Sequence, residues 1–348
     1  MKLCEAFLAQ SKSNRSLGSP FTARVLEVLA ESFTPGTSLA DRLLSWEADD
    51  IGPGGASLPL RVLGGLHALV LLGKDRGLTS VYPPAAALSD EQLQSAIQVA
   101  LQAHEDFLNE WINTAPQTNE VRRSAVMIAA GHYLQARFGL PVETYELGAS
   151  GGLNLHWDQY ALQHPGGQVG AADPALTLMP DWDGDALPRK APTVIARQGV
   201  DLNPLDPSDP DDALRLMAFL WADQPDRMER TRAAMSAAET RVDAGDASAW
   251  LEGKLTDLTP GRLHLVYHTV AWQYFPQDTK DRCLTAMRNA GATADTPLAR
   301  LSMEADDLSG PAGQGAALTL TFWPGEVEVP LGRIDFHGRW IRWAPEQS

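Results

Sequence analysis

Near Pro141 the hydrophobic rhythm of this chain changes, and no other feature constrains the fold as much. Before it, FTARVLEVLAESF, LADRLLSWEA, LPLRVLGGLHALVLLG, DEQLQSAIQVALQAHEDFLNEWI and VRRSAVMIAAGHYLQARFG carry apolar residues near the spacing of one helix face. Pro20, Pro35-Gly36 and Pro83-Pro84 punctuate them. Ser89 ahead of Asp90 and Glu91 reads as a helix start, because its hydroxyl can accept from first-turn amides and acids favour the positive helix end. After Pro141, VETYELG, PTVIARQGV, RLHLVYHTV, LARLSME, ALTLTFW and GRIDFHGRWIRW read as strands. ALRLMAFLWA, PDRMERTRAAMSAAETRV and TKDRCLTAMRNAG read as helices between them. Such alternation predicts a mostly parallel sheet covered on both faces. A turn at Pro324-Gly325 predicts an antiparallel C-terminal strand pair. The expected architecture is α/β: an α-helical domain over 1–140, then a sheet domain over 141–348.

At 348 residues the chain exceeds what one hydrophobic core usually organises, which agrees with two domains. Cys4 and Cys283 have no paired spacing, which argues against a disulfide framework and a cysteine metal site. The net charge of −16 opposes attraction to nucleic acid. No run approaches the ~18 apolar residues of a membrane span, and MKLCEAFLAQSKSNRS lacks a secretory pattern. The expectation is a cytoplasmic protein with a small-molecule substrate and no membrane partner. GxxxxGK[ST], HExxH and paired CxxC motifs are absent and the eight histidines are dispersed, so no metal is expected.

The stretch YELGASGGLNLHWDQY, residues 145–160, places glycines between a strand and a short helix. Glycine lets a backbone approach a ligand and adopt positive φ, and a helix start offers unpaired N–H groups. Glu146, Gly148, Ser150, Gly151, Gly152 and Asn154 are therefore candidate cofactor-binding residues. A tight corner with no ligand explains the same glycines. The pattern of Glu146, Gly148, Ser150 and Gly152 resembles the first motif of class I S-adenosylmethionine-dependent methyltransferases, which usually have glycine where Ser150 stands. That resemblance implies a Rossmann-like, methyltransferase-type sheet over about 141–348, with the turn backing onto the methionine and sugar portions of S-adenosylmethionine. Asp201 would then hold a ribose hydroxyl. Glu146 and Asp201 lie much further apart than the roughly 20 residues of a simple dinucleotide-binding unit. The segment HPGGQVGAADPALTLMPDWDGDALPRKAP must then loop out of the sheet, with a hairpin in it.

A second resemblance spans nearly the whole chain. QTNEVRRS (117–124), ELGASGGLNLHWDQY (146–160), RQGVDLNPLD (197–206), VYHTVAWQYFP (266–276) and DFHGRW (335–340) resemble the signatures of the uncharacterised bacterial domain-of-unknown-function family 2332. That family brings no reaction with it.

In VYHTVAWQYFP, His268 stands at the carboxyl end of a strand, where open α/β sheets bind ligands, and His264 near the opposite edge. His268 is the candidate general base, with Gln273 and Tyr274 orienting a substrate. The alternative is a histidine that only bonds a loop, with Trp272, Tyr274 and Phe275 in packing roles. Asn119, Glu120, Arg122 and Arg123 could orient substrate or cofactor, since arginine holds a carboxylate by two parallel hydrogen bonds. A helix cap with solvated charges explains them equally. The acidic run from Asp201 to Asp212 could suggest hard oxygen ligands. It fits a helix start better, with Asp209 as cap, Pro210 in the first position and acids in the first turn. Three functional expectations follow: a methyltransferase or cofactor-binding relative acting on a small or medium-sized molecule; a non-catalytic binding protein of the same fold; and a serine hydrolase using Ser150 and His268. GASGG lacks the GxSxG spacing of a hydrolase elbow.

Overall fold

The computed structural model describes residues 2–52, 55–85, 89–293, 297–309 and 314–345. The chain forms two compact units, Met1–Thr118 with Ser208–Glu229 and Asn119–Pro207 with Arg230–Ser348.

The first unit is helical among its described residues, with helices that include Lys2–Ser16, Pro20–Ser32, Leu58–Leu71 and Asp90–Ala103. Phe7, Leu26, Leu29, Leu66 and Ile97 build its core. Ser89 forms a reciprocal capping box with Gln92 at the start of Asp90–Ala103. The stretch read as one helix from Asp90 to Ile112 is two, broken at His104. His104 Nε2 lies 3.0 Å from Asp75 Oδ2, and the Glu105 carboxylate accepts from Leu39 N–H at 2.8 Å. These tertiary partners, invisible to periodicity, accompany the break. Further along the chain, Pro210–Ala218 returns to this unit with Asp209 accepting from Asp211 N and Asp212 N. Phe219 packs so closely that a Cβ on Gly64 would stand 2.6 Å from its ring.

The helix Ser124–Phe138 falls on the helical side of a boundary drawn at 140, yet its contacts group it with the second unit. It is buried almost all round, polar Ser124, His132 and Gln135 included, and Val126, Ile128 and Leu134 share a core with Val142, Leu265 and Leu301. A helix buried on every side carries no stripe to say which core it belongs to.

The strands of the second unit are β1 Val142–Leu147, β2 Ala161–His164, β3 Gly167–Gly170, β4 Thr177–Leu178, β5 Asp181–Gly184, β6 Val194–Asp201, β7 Asp243–Ala244, β8 Leu263–Thr269, β9 Leu298–Glu304, β10 Ala316–Trp323, β11 Val327–Ile334 and β12 Trp340–Trp343. Nine of them form one sheet in the order β5-β12-β11-β10-β9-β8-β1-β6-β7. From β7 to β9 every pairing is parallel. β10, β11 and β12 continue antiparallel, and β5 pairs parallel with β12 at the far edge. The expected closing pair is thus a longer meander. GRIDFHGRWIRW, read as one strand, is the end of β11, a turn and β12. The Asp335 carboxylate makes that turn by accepting from His337 N, Arg339 N and the Arg339 guanidinium.

β1 and β6 pair directly although the insertion separates them. Between them β2 and β3 form a hairpin that joins β4 in a separate three-stranded sheet, but the insertion does not loop out entirely, because its β5 pairs with β12 at the far edge of the main sheet. All seven residues of β8 are buried, as a sheet covered on both faces requires. On one face lie Val126, Ile128 and Leu134; on the other, Leu251, Cys283 and Met287 from helices Ala247–Lys254 and Gln277–Thr293 pack on Tyr145, Val266 and Leu298. Among the described residues no helix is long and apolar enough to cross a membrane.

Candidate functional site at the carboxyl edge of the sheet

The strand succession reverses beside β1: β6 and β7 extend the sheet to one side, β8 and β9 to the other. Such a reversal opens a crevice beyond the strand ends. Here the ends are Leu147, Asp201, Thr269 and Glu304.

The glycine turn follows β1 with Gly148 at φ 73°, Ser150 at 53° and Gly152 at 70°. Ser150 therefore sits in backbone that favours glycine, at a cost of roughly 1 kcal/mol. Gly148 N and Ala149 N both donate to Val200 O, Gly152 N to Ala149 O, and Leu153 N to Asn119 Oδ1. Ser150 N donates to Asp201 Oδ2 at 2.9 Å, while Asp201 Oδ1 accepts from Asn203 N at 2.9 Å. Five amides of the turn thus have protein acceptors, which removes them from any phosphate cradle. After the turn, Leu153–Gln159 is a kinked 3-10 segment.

Beneath the turn lies Glu146, 2% exposed. Burial, reinforced by the Asp201 charge and opposed by Tyr267, pushes its carboxyl up to about 8. Tyr267 Oη lies 3.2 Å from both Glu146 Oε2 and Asn154 O. One phenol proton cannot serve two acceptors fully. A neutral Glu146 resolves this by donating to Tyr267, which donates to the Asn154 carbonyl. Asn154 Oδ1 accepts from Ser124 Oγ at 2.7 Å, and its amide donates to Glu120 O at 3.4 Å. Glu120 also caps Arg122 N. Arg123 donates to Phe336 O and Thr269 O at 3.0 and 2.9 Å. A Cβ on Gly338 would stand 2.6 Å from Arg122 Cβ, so Arg122 packs on the DFHGRW turn. Asn119, Glu120 and Asn154 accordingly bind the glycine turn to the start of Ser124–Phe138.

His268 is wholly enclosed. Its Nδ1 lies 2.7 Å from Glu304 Oε1, and its Nε2 accepts from Arg300 Nε at 3.0 Å. Trp272 stacks on the imidazole at 4.7 Å between centroids, with the Arg300 guanidinium 4.4 Å from the indole centroid. Burial first, then Arg300, pushes the imidazole below its ordinary value. Burial would raise the Glu304 carboxyl, but hydrogen bonds from His268, Ala271 N and Trp272 N hold it lower. The neutral imidazole donates through Nδ1 and accepts through Nε2, so neither nitrogen is free to take a substrate proton in this arrangement. Nor are Ser150 and His268 brought together as a nucleophile and base, since the ring nitrogens face Glu304 and Arg300. Gln273 and Tyr274 are exposed on the turn Trp272–Tyr274, Tyr274 by 62%. His264 lies at the start of β8, bonded to Tyr145 Oη and Thr259 O.

Arg300 and Glu304 belong to LARLSME, which reads simply as a strand. Their signal is the alternation Arg300, Ser302, Glu304, which puts three polar residues on one face of a buried strand. Among the described residues no group of three or more histidines, cysteines and carboxylates is placed to hold a metal ion.

No curated protein and no solved structure matches the chain. The model of a family described as "Uncharacterized protein conserved in bacteria (DUF2332)" matches residues 4–343, and the chain belongs to that family.

Proposed function

We propose that this chain binds S-adenosylmethionine at the carboxyl edge around Asp201, Ser150 and Gly152, and methylates a small or medium-sized molecule. One observation carries the reading: counted from β7, the parallel strands run third, second, first, fourth, fifth, with the glycine turn at the reversal. That is the order of doubly wound, nucleotide-binding sheets. The turn amides have protein acceptors, which suits a cofactor without phosphates better than a dinucleotide. Each Asp201 oxygen keeps a second lone pair for a ribose hydroxyl. The cofactor would supply an electrophilic methyl group. The chain would supply orientation, with exposed Gln273 and Tyr274 beside the acceptor, because a nucleophile held in line needs little further help.

Isothermal titration with S-adenosylmethionine and S-adenosylhomocysteine tests this. Saturable binding is expected, weakened about tenfold by Asp201→Asn. No heat at millimolar ligand from folded protein overturns it.

The enclosure of His268 favours a second reading, a binding protein of this fold without turnover. Saturable binding of S-adenosylmethionine, with no S-adenosylhomocysteine formed in the presence of a metabolite extract, would select it.

A further inference from the structure

We propose that Glu304 is a positioning residue that latches the segment Val270–Phe275 shut over the glycine turn, and that this segment opens as a unit while the strands beneath stay folded. Three independent features point to it.

The segment covers the turn at contact distance. A Cβ on Gly148 would stand 2.6 Å from Ala271 Cβ and 3.7 Å from the Phe275 ring. Nothing larger than the Gly148 hydrogen fits between turn and cover, so a ligand reaches this part of the turn only when the cover moves.

The hinge is strained. Val270 has φ 53°, a left-handed conformation that a β-branched residue adopts only when its surroundings impose it. Opening lets Val270 return to extended backbone. The strain therefore favours the open state, and something must oppose it.

Val270 N donates to Met303 O at 2.8 Å, Trp272 and Phe275 pack on the core, and between these one carboxylate oxygen gathers the segment. Glu304 Oε1 gathers His268 Nδ1 at 2.7 Å, Ala271 N at 3.0 Å and Trp272 N at 3.1 Å. Hydrogen bonds to an ionised acceptor are the strong kind. Trp272 is also clasped from the side, stacked on His268 and contacted by Arg300. The latch thus joins two backbone amides and an indole of the cover to side chains of β8 and β9. Beyond the latch, Gln273 and Tyr274 are exposed and add little to the closed state.

Uncovering the turn for a cofactor rests on the binding reading above; the opening itself does not, and it is measured without ligand. Native-state hydrogen exchange of the full chain at rising denaturant is the experiment. In the wild type, the Ala271 and Trp272 amides should exchange through an opening with a weaker denaturant dependence than Leu265 and Val266 of β8. Glu304→Ala should speed exchange at 271 and 272 about tenfold or more beyond the smaller acceleration that loss of the His268 partner brings to β8, and Glu304→Gln, which keeps a carbonyl acceptor, should restore most of the protection. Exchange of Ala271 and Trp272 only by the same global unfolding as β8 overturns the proposal. So does a Glu304→Ala variant that accelerates segment and strand equally. A wild-type measurement suffices if the alanine variant does not fold.

Discussion

Glu146 is the residue with the sharpest chemical consequence. Its carboxyl is held neutral up to about 8 in the fold, whereas an exposed carboxyl ionises near 4.5. Between those values the folded chain holds a proton on Glu146 that the unfolded chain has lost, so the contribution of this one group to stability falls as pH rises through the window. The slope approaches ~1.4 kcal/mol per pH unit. Glu146→Gln, which imitates the neutral acid, should remove that contribution, so that the stability of the variant relative to the wild type rises with pH, as urea titrations at pH 5, 6, 7 and 8 would show. A slope unchanged in the variant would mean that Glu146 is already ionised. At Gly148, alanine meets both Ala271 and a φ of 73°, and Gly148→Ala should cost ~2 kcal/mol or more in the same measurement. The glycine itself was legible in the sequence. Its reason was not, because Ala271 lies more than a hundred residues away and only the pairing of β1 with β8 brings the two together.

At the scale of elements, helix starts were the most readable feature. Ser89 and Asp209 each cap a helix with the side-chain oxygens their residue types provide, and Asp246 does the same for Ala247–Lys254, a helix that the apolar spacing alone does not announce. Asp246 does more: it accepts from Ser248 N, Ala249 N and Thr279 Oγ1, joining helix Ala247–Lys254 to helix Gln277–Thr293. Asp246→Ala should therefore cost ~1–2 kcal/mol, towards the upper end for a cap, and Asp246→Asn about half as much, read as shifts in denaturation midpoint. Elements whose ends depend on distant partners were harder. The break at His104 and the division of the final strand into β11 and β12 rest on Asp75 and Asp335, and neither disturbs the local apolar pattern. Polar alternation in β9 was present in the sequence, but it acquires meaning only from His268 on the neighbouring strand.

Across the whole molecule the buried imidazoles act against Glu146. His132, His156, His164 and His268 are all pushed below their ordinary 6.5, in each case chiefly by burial. The unfolded chain takes up protons near 6.5 that the fold refuses, so their contribution is present above 6.5 and lost as pH falls below it. From 6.5 to about 8 only Glu146 acts among these five, and stability declines. The expected profile is a maximum near pH 6.5, falling on both sides. Glu146→Gln should remove the alkaline fall and leave the acid one, which thermal melts across pH 5 to 8 would resolve.

The sequence by itself determined the two textures of the chain, the helix caps at Ser89 and Asp209, the strands β1, β6, β8, β9 and β10, and the glycine turn beginning at Gly148. All of these follow from local spacing or from what one residue type can do with its own backbone. Only the tertiary structure decided that helix Ser124–Phe138 belongs to the sheet, that residues 208–229 return to the helical unit, and that His268 is enclosed between Glu304 and Arg300. The physical reason is the same in each case. A helix buried nearly all round does not name its partner, and a histidine's chemistry is set by the groups at its two nitrogens, which here come from a strand more than thirty residues further along the chain.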